Sequence, residues 1–321
     1  MTTFGYHASH EQHAPSELLE YVRLAEQAGF AAGMCSDHFH PWVARQGQSG
    51  FAWSWLGAAL EATSLGFGCV NAPGWRYHPA VVAQAAATLA QMYPDRFWIA
   101  IGSGEALNEH ITGEQWPGKD ERNARLLECV EVMRALWAGE TVTHYGRVTV
   151  EEATLYTRPR HPPPVFGAAL TPETARWLGG WADGLITVGM PPDRFKAMIA
   201  AFRDGGGAGK PVKVQAALAW APDEKDARRA AHEQWASNLL GSDVLAVLRT
   251  PAQFDAAARY VTVDDVLKAL PVSSDLGMHA NGLHRYAEEG VDEVYLFNVA
   301  PNQPEFIEAF GARVLPALKA G

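Results

Sequence analysis

Short apolar runs that alternate with amphipathic helical stretches constrain this chain more than any other feature. Residues 4–8, 31–36, 66–71, 97–102, 164–169, 184–188, 212–219 and 293–299 each read as a strand. Helical spacing appears between them. One helix is capped by Ser16 and runs to Gly29, with Leu18, Leu19, Val22, Leu24 and Ala25 on its apolar side; others follow Pro79, span about 121–138, start at Pro172 and close the chain from Gln303. Strands separated by helices pair in parallel, and eight such units predict an α/β fold closed into a (β/α)8 TIM barrel. A doubly wound open sheet is the alternative topology. Residues 141–151 read as a small hairpin, and 158–164 are rich in proline. Residues 222–290 hold several helices and no clear strand, so they read as an insertion between strands seven and eight. The run Gly205-Gly206-Gly207-Ala208-Gly209 reads as a flexible turn, because no strand directly precedes it. No linker divides the chain, so 1–321 reads as one domain.

Charge and cysteine content narrow the function classes. With 26 basic and 36 acidic residues the formal charge is −10. An acidic surface repels phosphate backbones, which argues against nucleic acid, and no basic cluster suggests an anionic membrane. No apolar run of about 18 residues occurs, so no membrane span is expected. Cys35, Cys69 and Cys129 form neither a disulfide framework nor a CxxC metal spacing. A reducing cytoplasm is the expected compartment, since the N-terminus lacks the pattern of a signal peptide.

Three loops after strands carry residues suited to chemistry. The first is Ser36-Asp37-His38-Phe39-His40-Pro41-Trp42. Strand C-termini open onto the active-site face of a barrel, where an imidazole beside a carboxylate can exchange a proton and Trp42 can wall a ring system. The plain reading is an Asp-capped loop with surface histidines. Asp37, His38 and His40 could also chelate a metal, but the spacing matches no helical zinc motif, and no metal is expected. The second loop is Gly102-Ser103-Gly104-Glu105-Ala106-Leu107-Asn108-Glu109. Its glycines let backbone approach a planar ligand, and Glu105 would face the His38 loop as the other half of an acid/base pair. It is no dinucleotide fingerprint, because Leu107 stands where the third glycine belongs. The plain reading is a tight turn with a capping glutamate. The third loop, Cys69 to Pro79, mixes turn formers, aromatics and Arg76, and serves equally as a surface loop anchored by Trp75. No GxSxG elbow supports serine catalysis. Trp42, Trp53, Trp55, Trp75 and Trp116 could furnish flat pocket walls, although tryptophan is more often core.

Taken together, SDHFHPW (36–42), RYHPAVVAQAAATLAQMYPDRF (76–97), GSGEALNEHITGEQWP (102–117) and ADGLIT (182–187) make the chain resemble the bacterial-luciferase-like superfamily, and within it the coenzyme F420-dependent glucose-6-phosphate dehydrogenases. The resemblance runs from about residue 4 to 318. It implies a homodimer of luciferase-like barrels with an isoalloxazine-like ring at the C-terminal mouth. By this resemblance His38 is the catalytic acid/base, Glu105 the second proton-transfer group, and Trp42 a stabiliser of the reacting centre. Asp37 and Asn108 are implied as cofactor contacts. Cys69 and Val70 are implied to form a bulge with a non-prolyl cis peptide beneath the ring.

The departures bear on cofactor and substrate. Three cationic positions that hold a sugar phosphate in those dehydrogenases match Pro191, Leu245 and Ala269, which argues against glucose 6-phosphate. On the cofactor side, a threonine becomes Ala72 and a glycine pair becomes Leu170-Thr171, followed by Glu173 and Thr174. Such changes resemble a sub-branch that uses FMN, so F420 and FMN both stand as cofactors. The expected function is an oxidoreductase moving a hydride between a small alcohol or carbonyl substrate and that ring. An FMN-dependent monooxygenase and a non-catalytic flavin-binding protein are the rivals.

Overall fold

The computed structural model describes residues 2–320. Ten strands form two sheets: β1 (Thr3–Ala8), β2 (Ala32–Ser36), β3 (Gly66–Asn71), β4 (Phe97–Ile101), β5 (Val142–Tyr145), β6 (Thr149–Ala153), β7 (Val165–Ala168), β8 (Gly184–Val188), β9 (Val212–Leu218) and β10 (Glu293–Asn298). Eight of them close a parallel barrel in the order β1-β10-β9-β8-β7-β4-β3-β2, and β5 and β6 form the small antiparallel hairpin. The closed barrel therefore excludes the open sheet.

The helices are α1 (Pro15–Gln27), α2 (Ala52–Ala62), α3 (Pro79–Met92), α4 (Ala106–Glu109), α5 (Lys119–Ala138), α6 (Pro172–Gly179), α7 (Pro192–Phe202), α8 (Glu224–Trp235), α9 (Ser242–Leu245), α10 (Pro251–Ala258), α11 (Val263–Ala269), α12 (Leu276–Glu288), α13 (Gln303–Ala309) and α14 (Leu315–Ala320). Six of them, α1, α3, α6, α7, α10 and α13, carry proline in the first turn, where no N–H is needed. Helices α8 to α12 occupy the predicted insertion between the seventh and eighth barrel strands. Among the described residues no helix is long and apolar enough to cross a membrane.

Two apolar layers follow from the period of two along each strand. Met34, Trp98, Ala100, Phe166, Ile186 and Tyr295 fill the barrel interior. Cys35, Phe67, Cys69, Ile99 and Ile101 face the other way and pack with α1, α2, α3 and α5. All three cysteines are free and buried.

The glycine run after α7 corrects the expectation of a flexible turn. A Cβ on Gly205 would stand 1.9 Å from the Arg176 carbonyl oxygen, and Gly206 has φ +106. The turn is pressed against α6, and glycine is required there by contact and by backbone conformation.

Candidate active site

The site lies where the strands end. In β1 the pleat turns Phe4, Tyr6 and Ala8 toward the helices, so His7 points into the barrel. Its ring packs on Phe297 at 4.5 Å and lies 3.2 Å from Gln215 Nε2. Burial lowers the His7 pKa to about 4, a push that the nearby Glu11 carboxylate only partly opposes. Just past β1, Glu11 is buried, and its Oε2 accepts from Ser9 Oγ at 2.9 Å.

The loop after β2 brings His38 onto Glu11, with His38 Nδ1 3.3 Å from Glu11 Oε1. The approach misses hydrogen-bond geometry, so Nδ1 is a buried polar atom without a partner. Burial and the Arg76 charge depress the His38 pKa, and Glu11 raises it without reversing the shift. The imidazole is thus neutral at neutral pH, with a carboxylate waiting to stabilise its cation. Glu11 itself is held below the usual carboxylate range: burial pushes it up, but His38 and His7 outweigh that. The edge of His38 meets Trp42 at 5.2 Å. Phe254 of α10 backs Trp42 at 5.4 Å, and Leu240, Leu245 and Leu248 complete that apolar patch.

Asp37 and Asn108 hold this loop in place. The Asp37 side chain is fully buried; Asn71 Nδ2 donates to it at 2.7 Å, Tyr77 Oη at 3.3 Å, and Arg76 Nη2 lies 3.5 Å away. Asn108 Oδ1 accepts from the backbone of Phe39 at 2.9 Å and of His40 at 3.2 Å. Both side chains fix the loop that carries His38, and neither opens to the mouth. Cys69 is also buried, facing the helix layer, while its neighbour Val70 packs with the barrel interior. All peptide bonds among the described residues are trans, so the cis peptide expected at Cys69-Val70 is absent here.

Glu105 is the N-cap of α4, half-buried, with no hydrogen bond to its carboxylate among the described residues. Burial, then the carboxylates of Glu109 and Glu11, raise its pKa to about 8. Glu109 is driven up to about 7 by burial, although Arg76 sits beside it and donates a backbone N–H at 2.9 Å. The mouth thus presents a neutral imidazole and a protonated carboxyl, an acceptor and a donor of protons.

Between these groups the floor is small. Ala168 Cβ lies 3.7 Å from where a Cβ on Gly102 would stand; Ala72 Cβ lies 3.3 Å from the same point on Gly104, whose φ is +81. Val70, packed with the barrel interior, joins these small residues. Beyond the floor, Leu170 is 41% exposed. Thr171 Oγ1 caps α6 by accepting from Thr174 N at 3.3 Å. Glu173 and Thr174 line a cavity of about 410 Å³ between the first turns of α5 and α6, with Trp177 and Lys119.

Of the residues singled out in the sequence, His38 lies against Trp42, Val70 packs with the barrel interior, and Ala72 touches the Gly104 turn that leads into Glu105. It missed Glu11 and His7, although HASHEQH follows the first strand and so occupies the same kind of position as the His38 loop. Of the other tryptophans, Trp53 and Trp55 are core, while Trp75 and Trp116 stack under Arg125 at 3.7 Å and Arg122 at 4.9 Å. Among the described residues no three His, Cys, Asp or Glu side chains converge as a metal site.

Residues 1–293 match the luciferase-like monooxygenase family. The F420-dependent glucose-6-phosphate dehydrogenase of Microbacterium testaceum is 34% identical, covering 98% of this chain and 97% of the relative. That of Intrasporangium calvum is 36% identical, covering 99% of each. Among solved structures, an F420-dependent secondary alcohol dehydrogenase in complex with an F420-acetone adduct superposes with TM-score 0.90 at 32% identity, covering 99% of both chains. The F420-dependent tetrahydromethanopterin reductase of Methanopyrus kandleri, at 20% identity and TM-score 0.80, shares the fold over 99% of each chain.

Proposed function

This chain belongs to the luciferase-like monooxygenase family and is an oxidoreductase, and we propose that it interconverts an alcohol and its carbonyl compound by hydride transfer with F420 or FMN at the barrel mouth. The observation that carries the reading is the cluster around Glu11, which faces the depressed imidazole of His38 and whose charge also helps raise the carboxyl of Glu105. A planar ring would need small neighbours, and these strand ends supply Val70, Ala72, Gly102 and Ala168. The first turn of α6, at Thr171–Thr174, would take the phosphate end through the Glu173 N–H and the Thr171 and Thr174 hydroxyls, since Pro172 has no N–H and the Thr174 N–H is given to Thr171 Oγ1.

When bound, the cofactor ring supplies the hydride acceptor. His38 takes the hydroxyl proton as the substrate C–H bond breaks, and Glu11 stabilises the imidazolium that forms. Glu105 delivers a proton toward the ring side, which balances the two-electron, two-proton exchange. Trp42 holds the imidazole edge and excludes water from one flank. Asp37 and Asn108 act through the loop, keeping His38 in register. Two relatives of similar length, one named for glucose 6-phosphate and one for secondary alcohols, support an alcohol substrate.

Titration of the purified chain with F420 and with FMN, followed by anaerobic assay on an alcohol panel, tests the proposal. Binding of one cofactor with alcohol-dependent reduction is expected; binding of neither sinks it. Leu170 and the spent cap of Thr171 favour a second reading, in which FMN is the ligand and the reduced enzyme consumes oxygen. Oxygen uptake coupled to reduced FMN would select that reading. The chain is further read as a homodimer, which sedimentation at micromolar concentration checks.

A further inference from the structure

Two of the three cysteines meet across the sheet. Cys35 in β2 and Cys69 in β3 are register partners, and both point out of the barrel into the helix layer. Register partners on neighbouring strands have Cα atoms about 4.8 Å apart, within the range of about 4.4–6.8 Å that a disulfide spans. Both side chains are fully buried, and each thiol is the other's hydrogen-bond partner. A buried cysteine is usually a small apolar filler. An imidazole beside this pair sets it apart.

His10, from the turn after β1, brings that imidazole. Its Nδ1 lies 3.0 Å from the Gly50 carbonyl oxygen, which can only accept, so the neutral ring carries its proton on Nδ1 and keeps a lone pair on Nε2. Nε2 is buried with no hydrogen-bond partner, and the ring meets Trp55 edge-to-face at 4.8 Å. The ring and the Cys35 sulfur are close enough that each moves the other's protonation. Burial raises the Cys35 pKa, but Cys69 and His10 outweigh it and hold the thiol below its usual range. Cys69 is driven up by the same sulfur contact and by burial. One sulfur is thus prepared as a thiolate, and its neighbour is kept as a thiol. Cys129 lies apart in α5, where burial pushes its thiol up to about 12. The segment that meets His10 at Gly50, residues 47–51, has no helix or strand, and Gly47, Gln48 and Phe51 are exposed. Entry from that side suits a small uncharged oxidant, which buries no ion on the way.

We propose that Cys35 and Cys69 are a peroxide-reactive dithiol that closes to a disulfide beneath the active site, with His10 as its base. His10 Nε2 takes the Cys35 proton, and the thiolate attacks one oxygen of hydrogen peroxide. The O–O bond breaks, the departing hydroxide takes the proton from the imidazolium and leaves as water, and Cys35 becomes a sulfenic acid. The Cys69 sulfur then attacks the Cys35 sulfur. The S–S bond forms, the S–O bond breaks, and the hydroxyl leaves as water with the Cys69 proton. Two thiols lose two electrons, and one peroxide becomes two waters. This chemistry is independent of the hydride transfer but adjoins its site. Asn71, two residues after Cys69, donates at 2.7 Å to Asp37, two residues after Cys35, so the disulfide closes one pleat repeat below the clamp on the His38 loop.

The test treats the reduced, folded chain with excess hydrogen peroxide, then alkylates free thiols in denaturant and maps the peptides. Expected is a Cys35–Cys69 cross-linked peptide, lighter than its two parts by about 2 Da, with Cys129 alone alkylated; dithiothreitol should reverse the cross-link. Cys69→Ala should leave a sulfenic acid at Cys35 that dimedone traps, and His10→Gln should slow disulfide formation about tenfold. Cys35 and Cys69 both recovered alkylated would overturn the proposal. Oxidation of all three thiols together would overturn it too, since unfolding would then have exposed them. An unchanged rate in His10→Gln would remove the base assigned to His10. The parent chain's peptide map decides the dithiol even where a variant fails to fold.

Discussion

The two ends of this barrel bury ionisable groups in opposite ways. At the N-terminal end, Lys213 near the start of β9 lies in the interior, with its ammonium 2.5 Å from Glu293 and over the faces of Trp98 at 4.3 Å and Phe166 at 4.6 Å. The Tyr295 hydroxyl joins it on Glu293. Donors and acceptors there are matched, and the aromatic rings are held around a satisfied charge. At the C-terminal end, His38 faces Glu11 with Nδ1 unpartnered, and Glu105 keeps its carboxyl without a hydrogen bond. Low-dielectric surroundings are common to both ends. What differs is partnering: a buried charge that is fully paired maintains shape, and one left short of partners is held ready to change protonation state.

If that difference is real, removing a group from the upper end costs rate, and removing one from the lower end costs stability. The largest effect is expected from His38→Ala. Loss of the base should lower kcat/KM by about 10³-fold, while cofactor affinity stays within a few-fold, as titration can show. Next comes Glu105→Gln. Oxidation of the alcohol needs neutral His38 and protonated Glu105, so activity should fall at low pH as His38 protonates and at high pH through about 8 as Glu105 ionises. The substitution should reduce kcat about a hundredfold and erase the alkaline limb near 8. Its pKa is raised in the folded state, so the stability linked to its proton is present below about 4.5 and lost as pH rises through about 8. Glu105→Gln should flatten that decline in a urea-unfolding series.

Lys213→Met tests the lower end. It strands Glu293 and Tyr295 with no cation and should cost about 2–4 kcal/mol, read from denaturant midpoints. The rate per folded molecule should stay within about twofold of the parent, because the pair lies beneath the barrel layer that includes Tyr295 and makes no contact with the mouth. A fall in kcat comparable to that of His38→Ala would break the comparison.

Much of the upper end was legible in the chain because barrel chemistry collects where strands stop, and SDHFHPW and GSGEALNE stand directly after apolar runs. Strand positions were legible for the same reason that they exist: eight short apolar segments separated by helices have few ways to pair. Burial of Asp37 was not legible. It depends on which way the pleat turns at the end of β2 and on Asn71 and Arg76 arriving from the next loop. Asn108 likewise reads as a ligand contact in one dimension and as a clamp on the His38 loop in three. Glu11 escaped attention because its neighbours are histidines with equal claims, and only the fold selects which of them faces His38. The segment 242–248 has no periodicity of its own; its position follows from the Ala246 carbonyl, which accepts from Ala106 N and from the Trp116 side-chain Nε1.

A smaller effect separates support from chemistry within the upper end. Glu11 lifts the His38 pKa against burial. Glu11→Gln should therefore move the acid limb to lower pH and reduce kcat about tenfold, as one charge-assisted contact to the imidazolium is lost. Glu11→Asp should recover part of the rate, and a pH profile identical to the parent would remove Glu11 from the proton path.

The smallest effect concerns the seam between the reacting floor and the phosphate end. Leu170 lies two residues past β7, just before the first turn of α6, where the Glu173 N–H and the Thr171 and Thr174 hydroxyls would meet an anion. Its side chain is 41% exposed, so little packing is lost on its removal, and backbone is what the cofactor would meet once it is gone. Leu170→Gly should tighten binding of the cofactor that the floor selects by about threefold to tenfold, since close backbone approach is glycine's particular use. The two cofactors respond differently because FMN ends in a phosphate monoester where F420 carries a phosphodiester with a longer anionic tail. Gain for F420 alone would mean that Leu170 restrains a deazaflavin already suited to the floor. Gain for FMN alone would move the assignment to an ordinary flavin. Loss for both would mean that Leu170 supports the ligand rather than crowding it.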